Sequence, residues 1–220
     1  MNKKKKFELV CKATDETLYE GWFESLSQCV ESAVAESVSL DGVDLRGANL
    51  ACANLDDAQM AGADLSNANL NGANMSEGVF DNAHMQGADL SHACFAWSSM
   101  MNVDMTGASF AATDVTDAVI SGCQFSCASV FSTMFGRAAI FTNCSFVHDE
   151  KGVCRMGKPP VVISGLSRDI VYMDNIVKIG SDFVSKADLI AAGDRHVEFI
   201  YGREIAGFIR PALYENIVNL

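Results

Sequence analysis

Ala63-Asp64-Leu65-Ser66-Asn67-Ala68-Asn69-Leu70-Asn71-Gly72 is one five-residue phrase written twice, and its spacing decides the fold. Outward from this stretch, every fifth residue is apolar: Leu40, Leu45, Leu50, Leu55, Met60, Leu65, Leu70, Met75, Phe80, Met85, Leu90 and Phe95. The series continues through Met100, Met105, Phe110, Val115, Ile120, Phe125, Val130, Phe135 and Ile140, 21 positions without a failure. Two residues before each stands a small or β-branched residue, most often alanine, as at Ala48, Ala53, Ala58 and Ala63. Two residues after it lies a frequent Gly or Asn, as at Gly42, Gly47, Gly62, Asn67 and Gly72. A period of five fits neither the 3.6 of a helix nor the alternation of a strand. It fits a chain that turns a corner every five residues, with the large and small residues inward and a permissive Gly or Asn at the bend.

These residues resemble the pentapeptide-repeat family, whose unit reads A-(D/N)-L-x-x. The resemblance runs from residue 38 to about 147. It implies a mainly β fold, a right-handed quadrilateral parallel β-helix in which four units make one square coil and residues four units apart stack. About five coils at strand spacing, roughly 4.8 Å, would make a rod of about 25 Å. After Ile140 the register slips by one, to Cys144-Ser145-Phe146, which reads as the end of the repeat.

The flanks carry other patterns. Residues 1–37 read as a small β/α cap: extended stretches at Phe7–Cys11 and Thr17–Phe23, then a helix. Ser25 and Gln28 are spaced as its capping box, and Leu26, Cys29, Val30, Ala33 and Val34 lie on one face. That face suits a lid over the first coil, whose core and strand edges would otherwise be open. Residues 148–220 read as a C-terminal α+β unit with strands at Val161–Ile163, Ile170–Tyr172 and Ile176–Ile179. Ser185 and Asp188 cap a helix that stops at Gly193, and Pro211 opens the last one. This arrangement of flanks resembles that of pentapeptide proteins from phages and prophages.

Composition narrows the function. The chain has 220 residues, 49% of them hydrophobic, enough for a packed core. Acids outnumber bases by 28 to 16, for a net charge of −12, which disfavours a direct grip on nucleic acid or anionic lipid. Lys3–Lys6 is followed by only Phe7-Glu8-Leu9-Val10, then Cys11, before Lys12, so no signal peptide is expected. No run approaches the roughly 18 apolar residues of a membrane span. The eight cysteines follow no disulfide or zinc spacing. A cytoplasmic protein with reduced thiols is expected.

No catalytic, cofactor-binding or metal-binding constellation stands out. His84, His92, His148 and His196 are too dispersed for a metal pattern. Cys123 and Cys144 occupy the small inward position of their units, where a thiol replaces alanine. Cys154 and His148 share the exit from the repeat, without a third group to orient a nucleophile–base pair.

Charge is better organised. Residues 38–147 hold eleven acids against Arg46 and Arg137, a net of −9. Stacking every fourth unit gives one column of Asp44, Asp64, His84 and Asp104, and another of Asp57, Glu77, Trp97, Asp117 and Arg137. The plain reading is solubility and protected edges. The sharper one is a rod that imitates the charge of duplex DNA, as the resemblance to gyrase-directed, quinolone-resistance members implies. Those members usually interrupt the coil with projecting loops, whereas units 40 to 140 have no insertion. The leading expectation is therefore a non-enzymatic protein-binding module with an acidic surface and a protein partner. The alternative is a DNA-mimicking regulator of DNA gyrase or a related type II topoisomerase. An enzyme acting through the C-terminal unit comes last. Outward positions turn apolar at Met101, Phe131, Met134 and Phe141, so these should be covered by residues 148–220 or by a second copy in a homodimer.

Overall fold

Each unit of the repeat ends on a residue with left-handed backbone. In the computed structural model, which describes residues 3–126, 133, 135–148 and 152–214, the position two after each inward apolar residue has φ between 56° and 74° at all 17 units from Gly42 to Gly122. Seven of the 17 are glycine, because an L side chain there costs about 1 to 2 kcal/mol. Gly62 isolates that cost, since a Cβ added to it would meet nothing within 4 Å. Gly62→Val should therefore lower unfolding free energy by about 1 to 2 kcal/mol through the backbone alone, measurable by urea denaturation.

Between the bends, residues 20 apart pair in parallel, forming four ladders. One runs Asp44, Asp64, His84, Asp104 and a second Asn49, Asn69, Asp89, Ser109. The third runs Asn54, Asn74, Cys94, Asp114 and the fourth Gln59, Val79, Ser99, Val119. Backbone bonds join successive twenty-residue rungs: Leu45 N–H donates to the Asp64 carbonyl at 2.8 Å, and Asp64 N–H to that of Val43 at 2.9 Å. The result is a β-helix-like stack, in which the short strands β3 (Ser99–Met101), β4 (Asp104–Met105), β5 (Val119–Ser121) and β6 (Gln124–Phe125) are its most regular parts.

Inward residues form one continuous core, from Leu40 through Leu65 and Leu90 to Phe125. Rings meet edge-on within it, as Phe80 and Phe95 do at 5.7 Å and Phe110 and Phe125 at 5.5 Å. Where the small inward residue carries a hydroxyl, that group finds a carbonyl: Ser98 Oγ donates to Phe95 at 2.7 Å and Thr113 Oγ1 to Leu90 at 2.8 Å.

The register slip falls earlier than the sequence suggests. Val119 pairs with Ile140 and Ile120 with Phe141, an offset of 21 residues rather than 20. Thr133 Oγ1 still donates to the Phe110 carbonyl with the regular offset, so the extra residue enters between Thr133 and Ile140, around the 3-10 turn Phe135–Arg137. Two readings change as a consequence. Ile140, expected inward, is 46% exposed, and Phe141, expected outward, is buried at 6% in the core.

The first rung is closed by the N-terminal residues. β1 (Lys5–Val10) and β2 (Thr17–Phe23) pair antiparallel, and α1 (Leu26–Ala35) follows. Ser25 Oγ accepts from Gln28 N–H at 3.2 Å, while the Gln28 carboxamide reaches back to Glu24 N–H at 3.1 Å. Leu9, Cys29, Val30 and Ala33 join the core beside Leu40. In later rungs Asp64 and Asn74 donate backbone N–H groups to the rung before. In the first rung the equivalent donors are met by the cap: Asp44 N–H reaches the Val10 carbonyl at 2.9 Å and Asn54 N–H reaches Glu31 Oε1 at 2.8 Å.

At the other end β7 (Ile140–Thr142) and β8 (Cys144–His148) continue two ladders, and β9 (Gly152–Met156) folds back antiparallel on β8. β10 (Val161–Ile163), β11 (Ile170–Tyr172), β12 (Ile176–Ile179) and β13 (Asp182–Ser185) form an antiparallel meander, followed by α2 (Lys186–Ala192) and α3 (Asp194–Tyr214). Ser185 Oγ caps α2 by accepting from Asp188 N–H at 2.9 Å. Pro211 lies inside α3 instead of opening a helix; the break falls at Gly202, whose φ of 84° no continuous helix allows. Among the described residues no helix is long and apolar enough to cross a membrane.

Candidate interaction surface

The acids of the repeat fall into three structural positions: just before the inward residue, just after it as at Asp41, Asp56 and Asp81, and on the bend two residues after it. Those just before the inward residue serve the bend. Asp64, Asp104 and Asp114 each accept from the backbone N–H two residues on, at 3.1, 3.0 and 3.0 Å. Asn69 and Asn74 do the same at 3.1 and 3.2 Å, so the position needs a short side-chain oxygen and not a charge. Asparagines there also stack, with Asn69 Nδ2 donating to Asn49 Oδ1 at 3.2 Å and Asn74 Nδ2 to Asn54 Oδ1 at 3.1 Å.

The first column is largely neutralised at its start. Asp64 was expected on an outward face, but it is 2% exposed, because Lys12 from the end of the β1 strand folds over it and donates Nζ to its Oδ2. Arg46 holds Asp44 through Nε at 2.8 Å and Nη2 at 2.6 Å, which keeps the Asp44 carboxyl below its ordinary range. At Asp64 burial pushes the carboxyl up, but Lys12 and the Ser66 hydrogen bonds outweigh it and hold the pKa at about 2, against an ordinary 3.8. A folded-state pKa below the unfolded one stabilises the fold above about pH 4, and that share is lost as pH falls toward 2. Asp64→Asn should cost about 1 to 2 kcal/mol at pH 7, discounted for the half-exposed lysine, with the gap to wild type closing near pH 2. Urea midpoints across that range check it, and equal midpoints at pH 7 would leave the ion pair without a stabilising role.

The second column occupies the bends. Asp57, Glu77, Trp97 and Asp117 all have φ of 56° to 60°, and all are exposed. They follow one another from rung to rung: Glu77 N–H donates to the Ala96 carbonyl and Trp97 N–H to that of Thr116, both at 2.9 Å. Asp117 N–H donates to the Arg137 carbonyl at 2.9 Å, which brings one cation to the end of the column.

Trp97 is 62% exposed and precedes Ser99 and Met101 on the fourth ladder. Met101, expected to be covered, is 42% exposed; its N–H donates to Asp81 Oδ1 at 2.9 Å. The C-terminal unit closes the end of the stack rather than wrapping its side, so it does not reach Met101. Phe131 and Met134 lie outside the described residues, and Phe141 has moved into the core. Val119 and Ile140 stack above Ser99 on the same ladder, beside Trp97 and Met101. The sequence carried a signal for this face, because the four-unit stacking that gives the acidic columns also puts Val79, Ser99 and Val119 in one.

The remaining candidates are structural. Cys123 Sγ donates to the Met100 carbonyl at 3.1 Å, and the neighbouring Cys144 together with burial pushes its thiol up. Burial likewise raises the Cys154 thiol, which lies in the core, so it is held protonated and poorly nucleophilic. His148 packs on the Phe183 ring at 4.3 Å. No group of three His, Cys, Asp or Glu among the described residues could hold a metal ion.

The family model described as pentapeptide repeats matches residues 39–76 and 68–107, in eight copies. Among solved structures, the chain is similar to HetL, a pentapeptide repeat protein involved in heterocyst differentiation regulation in the cyanobacterium Nostoc. Identity is 26% over 39% of this chain and 52% of that one, with a TM-score of 0.22. A pentapeptide repeat protein of the Arabidopsis thaliana thylakoid lumen is 26% identical over 37% of this chain and 64% of its own, with a TM-score of 0.20. The chain thus spans about half to just under two thirds of these structures. No curated protein matches it. With their five-residue unit, their twenty-residue ladders and the family match, residues 39–107 of this chain are a run of pentapeptide repeats.

Proposed function

We propose that this is a non-enzymatic protein-binding protein, in which the four ladders close into a right-handed, four-sided β-helix of about five coils. Its acidic outer surface is the binding element. The observation that carries this reading is the division of labour among the acids. Asp44 and Asp64 are committed to bends and ion pairs, whereas Asp57, Glu77 and Asp117 stand exposed on successive bends with Trp97 among them. Proteins of this family are generally non-enzymatic, and the buried, protonated thiols fit that. Immobilised protein should retain a defined protein from bacterial lysate at low salt and release it at about 0.5 M salt. Retention of nothing above a charge-matched control resin overturns the reading.

A second reading, DNA mimicry directed at gyrase, draws on the same exposed column. Duplex DNA carries one charge per roughly 1.7 Å, or about 15 over a 25 Å rod. The repeat's net of −9 falls short of that. If mimicry operates, micromolar protein inhibits gyrase supercoiling, and Asp57→Asn, Glu77→Gln and Asp117→Asn together weaken the inhibition. Unchanged supercoiling with wild-type protein removes this second reading and leaves the first.

A further inference from the structure

Trp97 stands where folding gives no reason for a tryptophan. Its φ of 57° belongs to a position filled seven times by glycine, and it is the only Phe, Tyr or Trp among the 17 such bends. Its side chain is 62% exposed, so packing does not compensate for the strained backbone. The apolar residues around it are not scattered. Met101 follows it on the same rung, and Val119 and Ile140 continue the ladder beside it, Ile140 turned outward by the register slip. Glu77 lies one rung before Trp97 in its column and Asp117 one rung after.

We propose that this face docks a protein partner whose own surface presents an apolar pocket rimmed by Lys or Arg, with Trp97 as the side chain that enters the pocket. The inference rests on the protein-binding reading above and adds the face and the partner's chemistry. Large amphipathic aromatics dominate interface energies, and an apolar centre within a charged rim is how such contacts are built. Charge selects the partner. A second copy would set Glu77 and Asp117 against their own equivalents on a chain of net charge −12. A basic rim meets both carboxylates favourably, and this is the occupant the face fits.

The two tryptophans are Trp22 and Trp97, so Trp22→Phe leaves Trp97 as the reporter in the full-length protein. The probe is a synthetic amphipathic helical peptide with leucines on one face flanked by arginines, alongside the same peptide with glutamates in their place. The arginine peptide should shift Trp97 emission to shorter wavelength and bind at least about tenfold more weakly at 0.5 M salt. The glutamate peptide should give no response. With labelled peptide, Trp97→Gly should abolish binding while leaving the melting temperature unchanged or raised, since glycine suits that backbone. Glu77→Gln with Asp117→Asn should weaken binding about tenfold, and Asp104→Asn should not. The proposal is overturned if the arginine peptide fails to bind at about 1 mM, or if Trp97→Gly binds as well as wild type. It is overturned equally if the free protein sediments as a dimer with Trp97 emission already shifted, which would make a second copy the occupant. A lysate protein retained equally by wild type and Trp97→Gly sinks this face but spares the protein-binding reading. Retention of nothing sinks that reading, while the peptide titration still decides the face.

Discussion

Leu65→Lys should unfold the repeat. Leu65 is buried completely, stacked in the core between the inward residues of the rungs on either side. A lysine there has no route to solvent that keeps the rung closed, so its ammonium must be buried unpaired or lose its proton. Either outcome costs several kcal/mol, against a total stability of about 5 to 15 kcal/mol for a domain of this size. In a stacked repeat each rung is held mainly by its neighbours, so the loss spreads to the rungs on either side. Ser66→Lys, one residue on, should change the urea midpoint little. Arg46 already occupies the equivalent position one rung earlier, with its guanidinium in solvent and on Asp44. Circular dichroism and urea melts of the two variants provide the check. Similar midpoints for both would contradict the inward–outward assignment of the repeat.

The period that places Leu65 inward was legible because nothing interrupts it. Every fifth residue from Leu40 to Phe125 is apolar, and a pairing error of one residue would expose the whole set. The slip after Thr133 was harder to locate for the same reason. Phe135, Ile140 and Phe141 are all apolar, so the old register through Ile140 and the new one through Phe141 satisfy a hydrophobic pattern equally; only the pairing of Ile120 with Phe141 separates them. The acidic columns were legible as positions but not as environments. Charge at Asp64 can be read from the sequence, whereas its burial depends on Lys12, which arrives from 52 residues away on a hairpin. The serving role of the Asp or Asn before each inward residue lay in the unit itself, since Asn69 and Asp64 are interchangeable there as acceptors. In the C-terminal unit β13 was missed because Asp182-Phe183-Val184-Ser185 offers only two apolar residues between polar ones. Its identity as a strand is fixed by pairing with β12, a tertiary fact.

Removing residues 149–220 should turn the repeat into an aggregating rod. The C-terminal unit supplies Cys154, Met156, Val171, Met173, Ile176 and Phe183 to the same continuous core as the inward residues of the repeat. The Phe183 ring stacks on Phe146 at 5.5 Å with an interplanar angle of 14°, covering the last inward residue of the ladder. β9 also occupies the free edge of β8, through a register that runs from Cys144↔Met156 to His148↔Gly152. Truncation therefore uncovers an apolar end and a strand edge together, the two features that make open sheets self-associate. Each large side chain left exposed forfeits about 1.5 to 3 kcal/mol, so the melting temperature should fall sharply as well. Phe183→Ala is a milder version, expected to cost about 3 kcal/mol while leaving β9 in place to guard the edge. The truncated protein should bind a hydrophobic dye and sediment as oligomers, and Phe183→Ala should bind dye while remaining monomeric. If the truncated chain stays monomeric, binds no dye and melts as the full-length protein does, the C-terminal unit is not a lid. The stability of the last rungs would then have to come from the Phe135–Phe141 pair, whose rings lie 4.9 Å apart within the repeat itself.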